Sequence, residues 1–509
     1  MNYKLLGKVL GKIMILESIL MLAPLFVSLI YGEGLRHALA FIIPICALAI
    51  LGFLMQRTTP KRRSFYQKEG FALVALVWIV MTLFGAIPFV ISRDVPNYID
   101  ACFEIMSGFT TTGASIITDI TVISHSILFW RSFSHWIGGM GILVFVLIFI
   151  PESDDGSSMH LLRAESPGPQ VGKIASKMKV TARILYLIYL CLTAIEVIVL
   201  MCGPLINHEA LIANGYESYE GDKLFHALLT AFGSAGTGGF GFIPNSFEYF
   251  TPFAQYVVAI SLLIFGCNFA LYYLVLLGKI KQVFKSEEFK TYLIIVICAV
   301  FLVFISLVTK LSTVGYSVEE AFRHSLFQVS SLMTTTGYTT ANYDIWPELA
   351  KAIIVILMFT GAMAGSTAGG IKMSRLVIAV KGTYVNIRKL INPRYVSKTK
   401  FEGKSLEEKT KNDVFAFITL YVFIILLTVL LLSFDPSNHE AEHGFFSNFS
   451  ASLACISNIG PGFEAVGPYA SFACYNSFSK IVLIFTMLLG RLEILPVLIL
   501  FTPRTWKKS

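Results

Sequence analysis

Long apolar segments constrain this chain more than any other feature of its sequence. Ten of them are long enough to cross a lipid bilayer as helices. They lie near residues 9–31, 37–56, 70–92, 124–150, 182–202, 252–278, 291–309, 350–380, 413–433 and 479–502. The chain is 55% hydrophobic and only 14% charged, and a soluble domain cannot bury that much apolar surface. The sequence therefore predicts an all-α polytopic membrane protein with about ten transmembrane spans.

Basic residues mark one side of the predicted bilayer. They cluster in residues 57–63, 172–179, 278–285, 372–411 and 503–509. Because cytoplasmic loops collect Lys and Arg, this pattern predicts that both termini are cytoplasmic. The same distribution accounts for the formal net charge of +8, so we expect a lipid bilayer and no nucleic acid as the partner. The first apolar run lacks a small-residue cleavage site and is interpreted as a span rather than a signal peptide.

Four of the outward connections share one pattern, a short and moderately apolar stretch followed by a polar segment that contains glycine. Their sequences are YIDACFEIMSGFTTTGAS, KLFHALLTAFGSAGTGGFGF, AFRHSLFQVSSLMTTTGYTT and FFSNFSASLACISNIGPGF. Their alignment selects Gly113, Gly239, Gly337 and Gly460, at separations of 126, 98 and 123 residues. Repeats of this length indicate duplication of a membrane unit. We therefore predict a two-helix N-terminal segment, 1–65, and four repeats, 66–165, 166–286, 287–405 and 406–509.

The four loops suggest one shared cavity in the membrane. Non-helical backbone at membrane depth survives only where it is buried in protein or lines a water-filled space. Glycine can adopt positive φ, which lets a strand aim its carbonyl oxygens inward. Four such strands make a ring of neutral oxygens that can replace the water around a dehydrated monovalent cation. Each preceding half-helix adds the partial negative charge of its C-terminal end. Taken singly, each loop is equally compatible with an ordinary polar turn outside the bilayer.

These loops, together with GAMAGSTAGGIKMSR (361–375) and GRLEILPVLILFTP (490–503), resemble the TrkH branch of the TrkH/KtrB/HKT superfamily of potassium transporters. The resemblance covers essentially the whole chain, including the two N-terminal helices. It implies four pseudo-symmetric helix–loop–helix (M1-P-M2) repeats around a central pore that takes up potassium across the bacterial inner membrane. It implies no enzymatic activity and no cofactor, with potassium as the transported ion.

The resemblance also places a selectivity filter on twelve residues. These are Thr111, Thr112, Gly113, Thr237, Gly238, Gly239, Thr335, Thr336, Gly337, Asn458, Ile459 and Gly460. In plant relatives, serine at the first glycine position accompanies sodium preference. Because all four positions hold glycine here, the resemblance favours potassium.

A gate is predicted from residues 361–370, which interrupt an apolar run with four glycines. Each glycine costs a helix close to 1 kcal/mol relative to alanine, so this segment is a poor helix former. Close packing of small residues against a neighbouring helix is the alternative interpretation. The resemblance implies an intramembrane loop that obstructs the pore until it moves. Its candidate residues, with one arginine from the last span, are Gly361, Gly365, Ser366, Thr367, Gly369, Gly370 and Arg491.

Arg491 lies near the middle of the last apolar run, where a charged side chain is expected to face a polar interior. Alternatively, the long Arg491 side chain snorkels, so that its guanidinium group reaches the membrane surface. Its neighbour Glu493 lies on a different helix face and is not a simple partner. We expect Arg491 either to hold the 361–370 loop or to set a positive barrier to ion passage.

The stretch 372–411 carries eleven Lys and Arg residues against three Glu residues. Anchoring at the cytoplasmic surface explains most of this charge. The resemblance adds a cytosolic TrkA-type nucleotide-binding ring docked on this face, and a homodimer. The chain itself has neither a P-loop nor a strand–GxGxxG–helix pattern.

Two other function classes remain open from the sequence. An ion-coupled symporter of potassium with protons or sodium needs a titratable carboxylate near the midplane, for which Glu17, Glu196 and Glu493 are the candidates. A membrane enzyme would need a metal or catalytic cluster, for which PESDDGSSMH (151–160) is the only candidate. A disulfide among Cys102, Cys455 and Cys474 also stays open, because these cysteines lie near the outward loops.

Overall fold

The structure is a computed structural model that describes most of the chain. The described residues are 1–58, 67–141, 178–216, 222–310, 315–394, 398–436, 444–492, 494, 497 and 502. They are mostly helical, with one two-stranded hairpin on the polar connection before the last repeat. The predicted boundaries at 65/66 and 165/166 fall outside these residues.

Three helices are described in the N-terminal segment. They are α1 (Tyr3–Leu20), α2 (Leu22–Ile30) and α3 (Leu35–Gln56). The first two, separated only by Met21, together make one of its two candidate spans. Helices α1 and α3 approach closely because Gly11 and Gly52 face each other. A Cβ atom on either glycine would lie 2.7 Å from the carbonyl oxygen of the other. Small residues at a crossing allow this kind of backbone contact between membrane helices.

Ten α-helices are described in the first two repeats. They are α4 (Gln67–Gly85), α5 (Ile87–Ser92), α6 (Tyr98–Phe109), α7 (His125–Gly139), α8 (Met178–Met201), α9 (His208–Ala213), α10 (Lys223–Gly236), α11 (Pro252–Phe265), α12 (Phe269–Leu276) and α13 (Ile280–Val283). The predicted span 252–278 is not one straight helix, since α11 and α12 meet at an angle of 91°.

Seven α-helices and the hairpin are described in the last two repeats. They are α14 (Glu287–Val308), α15 (Val318–Met333), α16 (Glu348–Phe359), α17 (Met373–Ile391), β1 (Lys400–Phe401), β2 (Lys404–Ser405), α18 (Glu408–Leu432), α19 (Phe445–Ser457) and α20 (Ser477–Arg491). The predicted interruption of the run 350–380 is present, because α16 ends at Phe359 and α17 begins at Met373.

Among the described residues, six helical segments are long and apolar enough to cross a membrane, and the bent pair α11–α12 adds a seventh. Two of the six, Tyr3–Ile30 and Glu69–Ser92, each consist of two consecutive helices. Two further predicted spans, 124–150 and 479–502, begin as α7 and α20 and continue beyond the described residues. The apolar outer surface fits this architecture. On α14, Ile294, Ile297 and Phe301 are each at least 60% exposed and lie at helical spacing, so this stripe faces lipid rather than a protein core.

Four shorter helices, α6, α10, α15 and α19, run inward as half-spans. They contain 12, 14, 16 and 13 residues, which is about 18–24 Å of helix against a hydrocarbon core of about 30 Å. Side-chain caps fix the start of three of them: Asn97 caps α6, Asp222 caps α10 and Ser317 caps α15 in a capping box with Glu320. All four end in the interior, at the predicted filter residues.

Candidate ion site

Each half-helix ends in the same hydrogen-bonded turn. In the first repeat, the Thr111 N–H donates to the Gly108 carbonyl (3.1 Å) and the Thr112 N–H to the Ser107 carbonyl (2.8 Å). The other three repeats reproduce both bonds, donated by Thr237 and Gly238, by Thr335 and Thr336, and by Asn458 and Ile459. The second bond spans six residues, which is the signature of a Schellman C-cap. The predicted filter residues therefore begin at the αL position of a helix cap.

The residue at that αL position is not glycine in any repeat. Thr111, Thr237, Thr335 and Asn458 have φ of +55°, +54°, +54° and +54°. Left-handed backbone costs a residue with a Cβ atom about 1–2 kcal/mol, and threonine is β-branched as well. Four repeats that hold the same strained geometry indicate that the surrounding structure imposes it.

A second left-handed residue follows two positions later, and here it is glycine. Gly113, Gly239, Gly337 and Gly460 have φ of +81°, +78°, +85° and +99°. Left-handed residues that alternate with residues of ordinary φ reverse the usual side-to-side alternation of an extended strand. Successive carbonyl oxygens then point toward the same side of the strand, as the predicted ring requires.

The four strands form a closed ring. A Cβ atom on Gly113 would lie 2.0 Å from the carbonyl oxygen of Gly238 in the second repeat. The second strand meets the third at Gly239, 1.9 Å from the Thr336 oxygen, and the third meets the fourth at Gly337, 1.8 Å from the Ile459 oxygen. The fourth strand returns to the first, where a Cβ atom on Gly460 would lie 2.8 Å from the Thr112 oxygen. The sequence repeats therefore converge on one axis, in chain order.

The ring is open on its outer side. A cavity of about 400 Å³ is lined by all four glycines, and none of the other eight predicted filter residues is among its lining residues. The glycines thus form the floor of the cavity, with the threonine and asparagine positions deeper. Asp119 at the cavity wall accepts hydrogen bonds from the Thr121 N–H and hydroxyl, which lowers the pKa of its carboxyl group.

Side chains behind the strands tie neighbouring repeats together. Asn458 donates from Nδ2 to the Thr112 hydroxyl (2.9 Å) and to the Met487 carbonyl (3.0 Å). His135 accepts the Phe240 N–H at Nε2 (3.3 Å), so its Nδ1 carries the proton and donates to the Gly108 carbonyl (2.8 Å). Hydrogen bonds between repeats 4 and 1 and between repeats 1 and 2 therefore stabilise the ring on the side of the strands that faces away from the axis.

A buried ion pair also supports the first strand. Arg131 and Glu104 are 2% and 0% exposed, and their charged atoms lie 2.7 Å apart. Glu104 accepts the Ile116 N–H and the Ser115 hydroxyl, and Arg131 donates to the Gly241 carbonyl (3.2 Å) in repeat 2. This pair was not predicted from the sequence. The available signal was a carboxylate in the apolar half of EIMSGFTTTGAS and an arginine inside a predicted span.

The 361–370 loop lies against the inner end of the ring. The Gly369 N–H donates to the Thr335 hydroxyl (2.6 Å), and a Cβ atom on Gly369 would lie 2.5 Å from the Ser457 carbonyl oxygen. The loop is closed at its base by the Gly361 N–H, which donates to the Ile371 carbonyl (2.8 Å). Two of its glycines, Gly365 and Gly370, have φ of +75° and +66°, and the Ser366 hydroxyl donates to the Met363 carbonyl within the loop.

Arg491 joins the loop to the first repeat. Its Nη1 donates to the Thr367 carbonyl (2.8 Å) and to the Thr111 hydroxyl (3.1 Å). Its Nη2 donates to the carbonyls of Gly138 and Gly139 at the C-terminal end of α7. A guanidinium group suits this position because its fork of donors can bond several carbonyl oxygens at the C-terminal end of a helix.

The same loop contacts the break between α11 and α12. The Met363 N–H donates to the Gly266 carbonyl (3.2 Å), and the Phe269 N–H donates to the Gly365 carbonyl (3.0 Å). The 91° bend leaves backbone N–H and C=O groups without hydrogen-bond partners inside a helix, and the loop supplies partners for them. The loop is therefore bonded to repeats 2, 3 and 4 at once, and Arg491 links it to repeat 1.

The other predicted candidates lie elsewhere. Glu17 and Glu196 are buried but are not among the lining residues of the outer cavity. Glu493 and the segment 151–160 are outside the described residues. Among the described residues, no group of three His, Cys, Asp or Glu side chains has the geometry of a metal site. Cys102, Cys455 and Cys474 are free thiols.

This architecture defines a class of protein: a polytopic α-helical membrane protein with four pseudo-symmetric helix–loop–helix repeats around one axis. The family profile described as "TrkH: Cation transport protein" matches residues 35–508. The chain is 32% identical over 518 aligned residues to the Trk system potassium uptake protein TrkH of Salmonella typhimurium and to that of Escherichia coli K12, with 100% of each chain covered. It matches the crystal structure of the potassium transporter TrkH from Vibrio parahaemolyticus with a TM-score of 0.82 and 29% identity, covering 100% of both chains.

The chain therefore belongs to the TrkH family of cation transport proteins, and it is not an enzyme. The apolar helices and the family assignment both indicate that the protein lies in a membrane.

Proposed function

We propose that this chain takes up potassium across the bacterial inner membrane through a gated, channel-like pore. The twelve residues of the four-stranded ring form its selectivity filter. One observation carries the proposal, namely the contact of each strand's glycine with the next strand, which closes the ring in chain order. Relatives at 32% identity that carry the name of potassium uptake proteins support the choice of ion.

The chemistry of the ring suits a monovalent cation. Its ligands are backbone carbonyls and hydroxyls, which are neutral, and the C-terminal ends of four half-helices point at them. Neutral oxygens at fixed positions can replace the hydration shell of a potassium ion without binding it too tightly to leave. A divalent cation would instead favour carboxylate ligands.

We assign the gate to the 361–370 loop and Arg491. The loop lies directly below the Thr335 and Asn458 positions, and the guanidinium group places a positive charge beside Thr111. A cation leaving the ring on this side meets both a packed segment of backbone and a like charge. Movement of the loop away from the axis would remove the first obstacle and release the arginine from Thr367.

Regulation and assembly extend the same proposal. A cytosolic TrkA-type nucleotide-binding ring would dock on the basic cytoplasmic face, where Arg388, Lys389, Arg394 and Lys398 are exposed. The protein would work as a homodimer with both termini in the cytoplasm and with no cofactor. The four-repeat division at 66–165, 166–286, 287–405 and 406–509 belongs to this proposal as well.

An ion-coupled symporter is the alternative. It would need a carboxylate that exchanges a proton or sodium along the ion's path, and the described candidates are Glu17 and Glu196. Neither is among the lining residues of the outer cavity, so the channel-like pore is favoured.

The test is current through purified protein in a planar bilayer under a potassium gradient. The proposal expects a current that reverses at the potassium equilibrium potential and does not shift with a proton or sodium gradient. Rubidium uptake into liposomes should accompany it. A reversal potential that follows the proton or sodium gradient would establish the symporter instead, and the absence of any cation flux from folded protein would contradict both.

A further inference from the structure

The loop below the ring is held by a carboxylate that the predicted gate does not include. Glu288, at the first turn of α14, is 5% exposed. Its Oε1 accepts the Ala364 N–H of the loop (2.8 Å) and the Ser374 N–H (3.0 Å) at the start of α17. One oxygen atom therefore ties the loop to the helix that follows it. Lys372, between the two attachment points, is buried and donates from Nζ to the Ala368 carbonyl.

The other side of α14's first turn is held from the cytoplasmic surface. Glu402 lies at the turn of the β1–β2 hairpin, where its φ is +48°. Its Oε1 accepts the Ser286 hydroxyl (2.8 Å) and the Glu288 N–H (3.0 Å). A carboxylate is favoured there because the first N–H groups of a 22-residue helix have no partners within it and carry partial positive charge.

The hairpin is seated firmly enough to hold this contact. Phe401 and Leu406 on either side of its turn are 5% and 8% exposed and belong to the same apolar cluster as α14. Lys381 of α17 forms an ion pair with Glu287 and donates to the Lys400 carbonyl (3.1 Å). The backbone of α14's first turn therefore lies between two carboxylates, one buried and one exposed.

We infer that Glu288 positions the 361–370 loop and that Glu402 is the point on the cytoplasmic surface through which the loop is released. The inference rests on the proposed gate. Withdrawal of the Glu402 carboxylate leaves the Ser286 hydroxyl and the Glu288 N–H without their acceptor, so the first turn of α14 loosens. The Glu288 side chain, which starts in that turn, then holds Ala364 and Ser374 less tightly.

The charges around the contact between Glu402 and the first turn of α14 allow this contact to break. Glu287, Glu288 and Glu402 bring three carboxylates to one helix end, with Lys381 and Lys372 as the cations placed near them. Glu402 is exposed, so a cytosolic partner or a local change of charge can reach it without unfolding the membrane core. Glu288 cannot be reached directly, which makes the hairpin the accessible end of the connection.

The experiment compares Glu402→Gln with Glu407→Gln in the full-length protein. Glu407 lies in the same cytoplasmic connection and its variant removes the same charge, but its side chain does not cap α18. Hydrogen–deuterium exchange of the 361–375 backbone is the first measurement, since it needs no ion flux. We expect exchange about tenfold faster in Glu402→Gln and in Glu288→Gln than in Glu407→Gln, because each loses a charge-assisted hydrogen bond.

Single-channel recording is the second measurement. Glu402→Gln should raise the open probability by about tenfold with unitary conductance and potassium/sodium permeability ratio unchanged. The Glu288→Gln/Glu402→Gln double variant should open no more than Glu288→Gln alone, because the two act in series. Loop exchange in Glu402→Gln equal to that in Glu407→Gln overturns the inference. Faster loop exchange with no potassium current in any variant supports the connection and contradicts the proposed function.

Discussion

Alanine substitutions at the ring glycines are expected to reduce stability by different amounts. A Cβ atom at Gly239 would lie 1.9 Å from the Thr336 carbonyl oxygen, whereas one at Gly460 would lie 2.8 Å from the Thr112 oxygen. Ordinary contact at such a position is 3.4–4 Å. Both substitutions carry the left-handed strain of about 1–2 kcal/mol. Gly239→Ala adds overpacking against backbone, about 1–3 kcal/mol, for a total of about 2–5 kcal/mol.

Gly460→Ala should cost less, about 1–3 kcal/mol, because a smaller displacement of Thr112 relieves the contact. The matched control is Gly278→Ala, where φ is +72° and a Cβ atom meets nothing within 4 Å. It reports the strain alone, outside the ring. Serine would displace the same neighbouring backbone, so Gly113→Ser, Gly239→Ser and Gly337→Ser are expected to lose potassium selectivity.

Thermal unfolding in detergent and rubidium flux per folded molecule measure the two effects. We expect the order of stability to be Gly278→Ala, then Gly460→Ala, then Gly239→Ala, with flux lost in Gly239→Ala and partly kept in Gly460→Ala. A Gly239→Ala protein that conducts as well as Gly460→Ala, with an unchanged permeability ratio, would refute the ring geometry.

Three further predictions follow from the contacts around the ring. Arg491→Ala removes the bond to Thr367 and should raise open probability about tenfold or more, whereas Arg491→Lys keeps the charge and should rise less; equal opening of the two would argue against the hydrogen bond. Glu104→Gln leaves the buried Arg131 without a negatively charged partner, so the free energy of unfolding should fall by about 3–5 kcal/mol in thermal unfolding experiments. A decrease smaller than that caused by breaking a solvent-exposed ion pair would contradict this. Asp119→Asn should lower potassium conductance at low external salt but not at high salt, and external pH between 7 and 5 should leave the wild-type conductance unchanged, because the pKa of Asp119 is lowered.

Much of the fold follows from the sequence because membrane insertion leaves few alternatives. Apolar length and basic clusters predict the spans, and the repeated glycine pattern predicts the four half-helices. The run 252–278 shows where this reasoning stops. It is apolar throughout, yet it breaks by 91° between Phe265 and Phe269, because the 361–370 loop satisfies the backbone at the break. A contact with a segment about 100 residues away leaves no mark on local hydropathy.

The candidate ion site was likewise predictable from the sequence only in part. Glycine at the second left-handed position is readable, since positive φ favours it. The first left-handed position holds Thr111, Thr237 and Thr335, which no propensity predicts there, and Asn458, a residue type that tolerates this conformation. Glu288 was missed for a related reason. Next to Glu287 at the start of a span it looks like an ordinary acidic first turn, and only the folded loop shows that it binds Ala364 and Ser374.

If the four strands enclose one path for a dehydrated monovalent cation, the ion must bind on the axis between them. Anomalous diffraction from crystals soaked in thallium or rubidium measures this directly. We expect density on the axis enclosed by Gly113, Gly239, Gly337 and Gly460, and we expect it to disappear when the ions are exchanged for lithium. Ions found only between helices or in the outer cavity, with the axis empty at saturating rubidium, would contradict it.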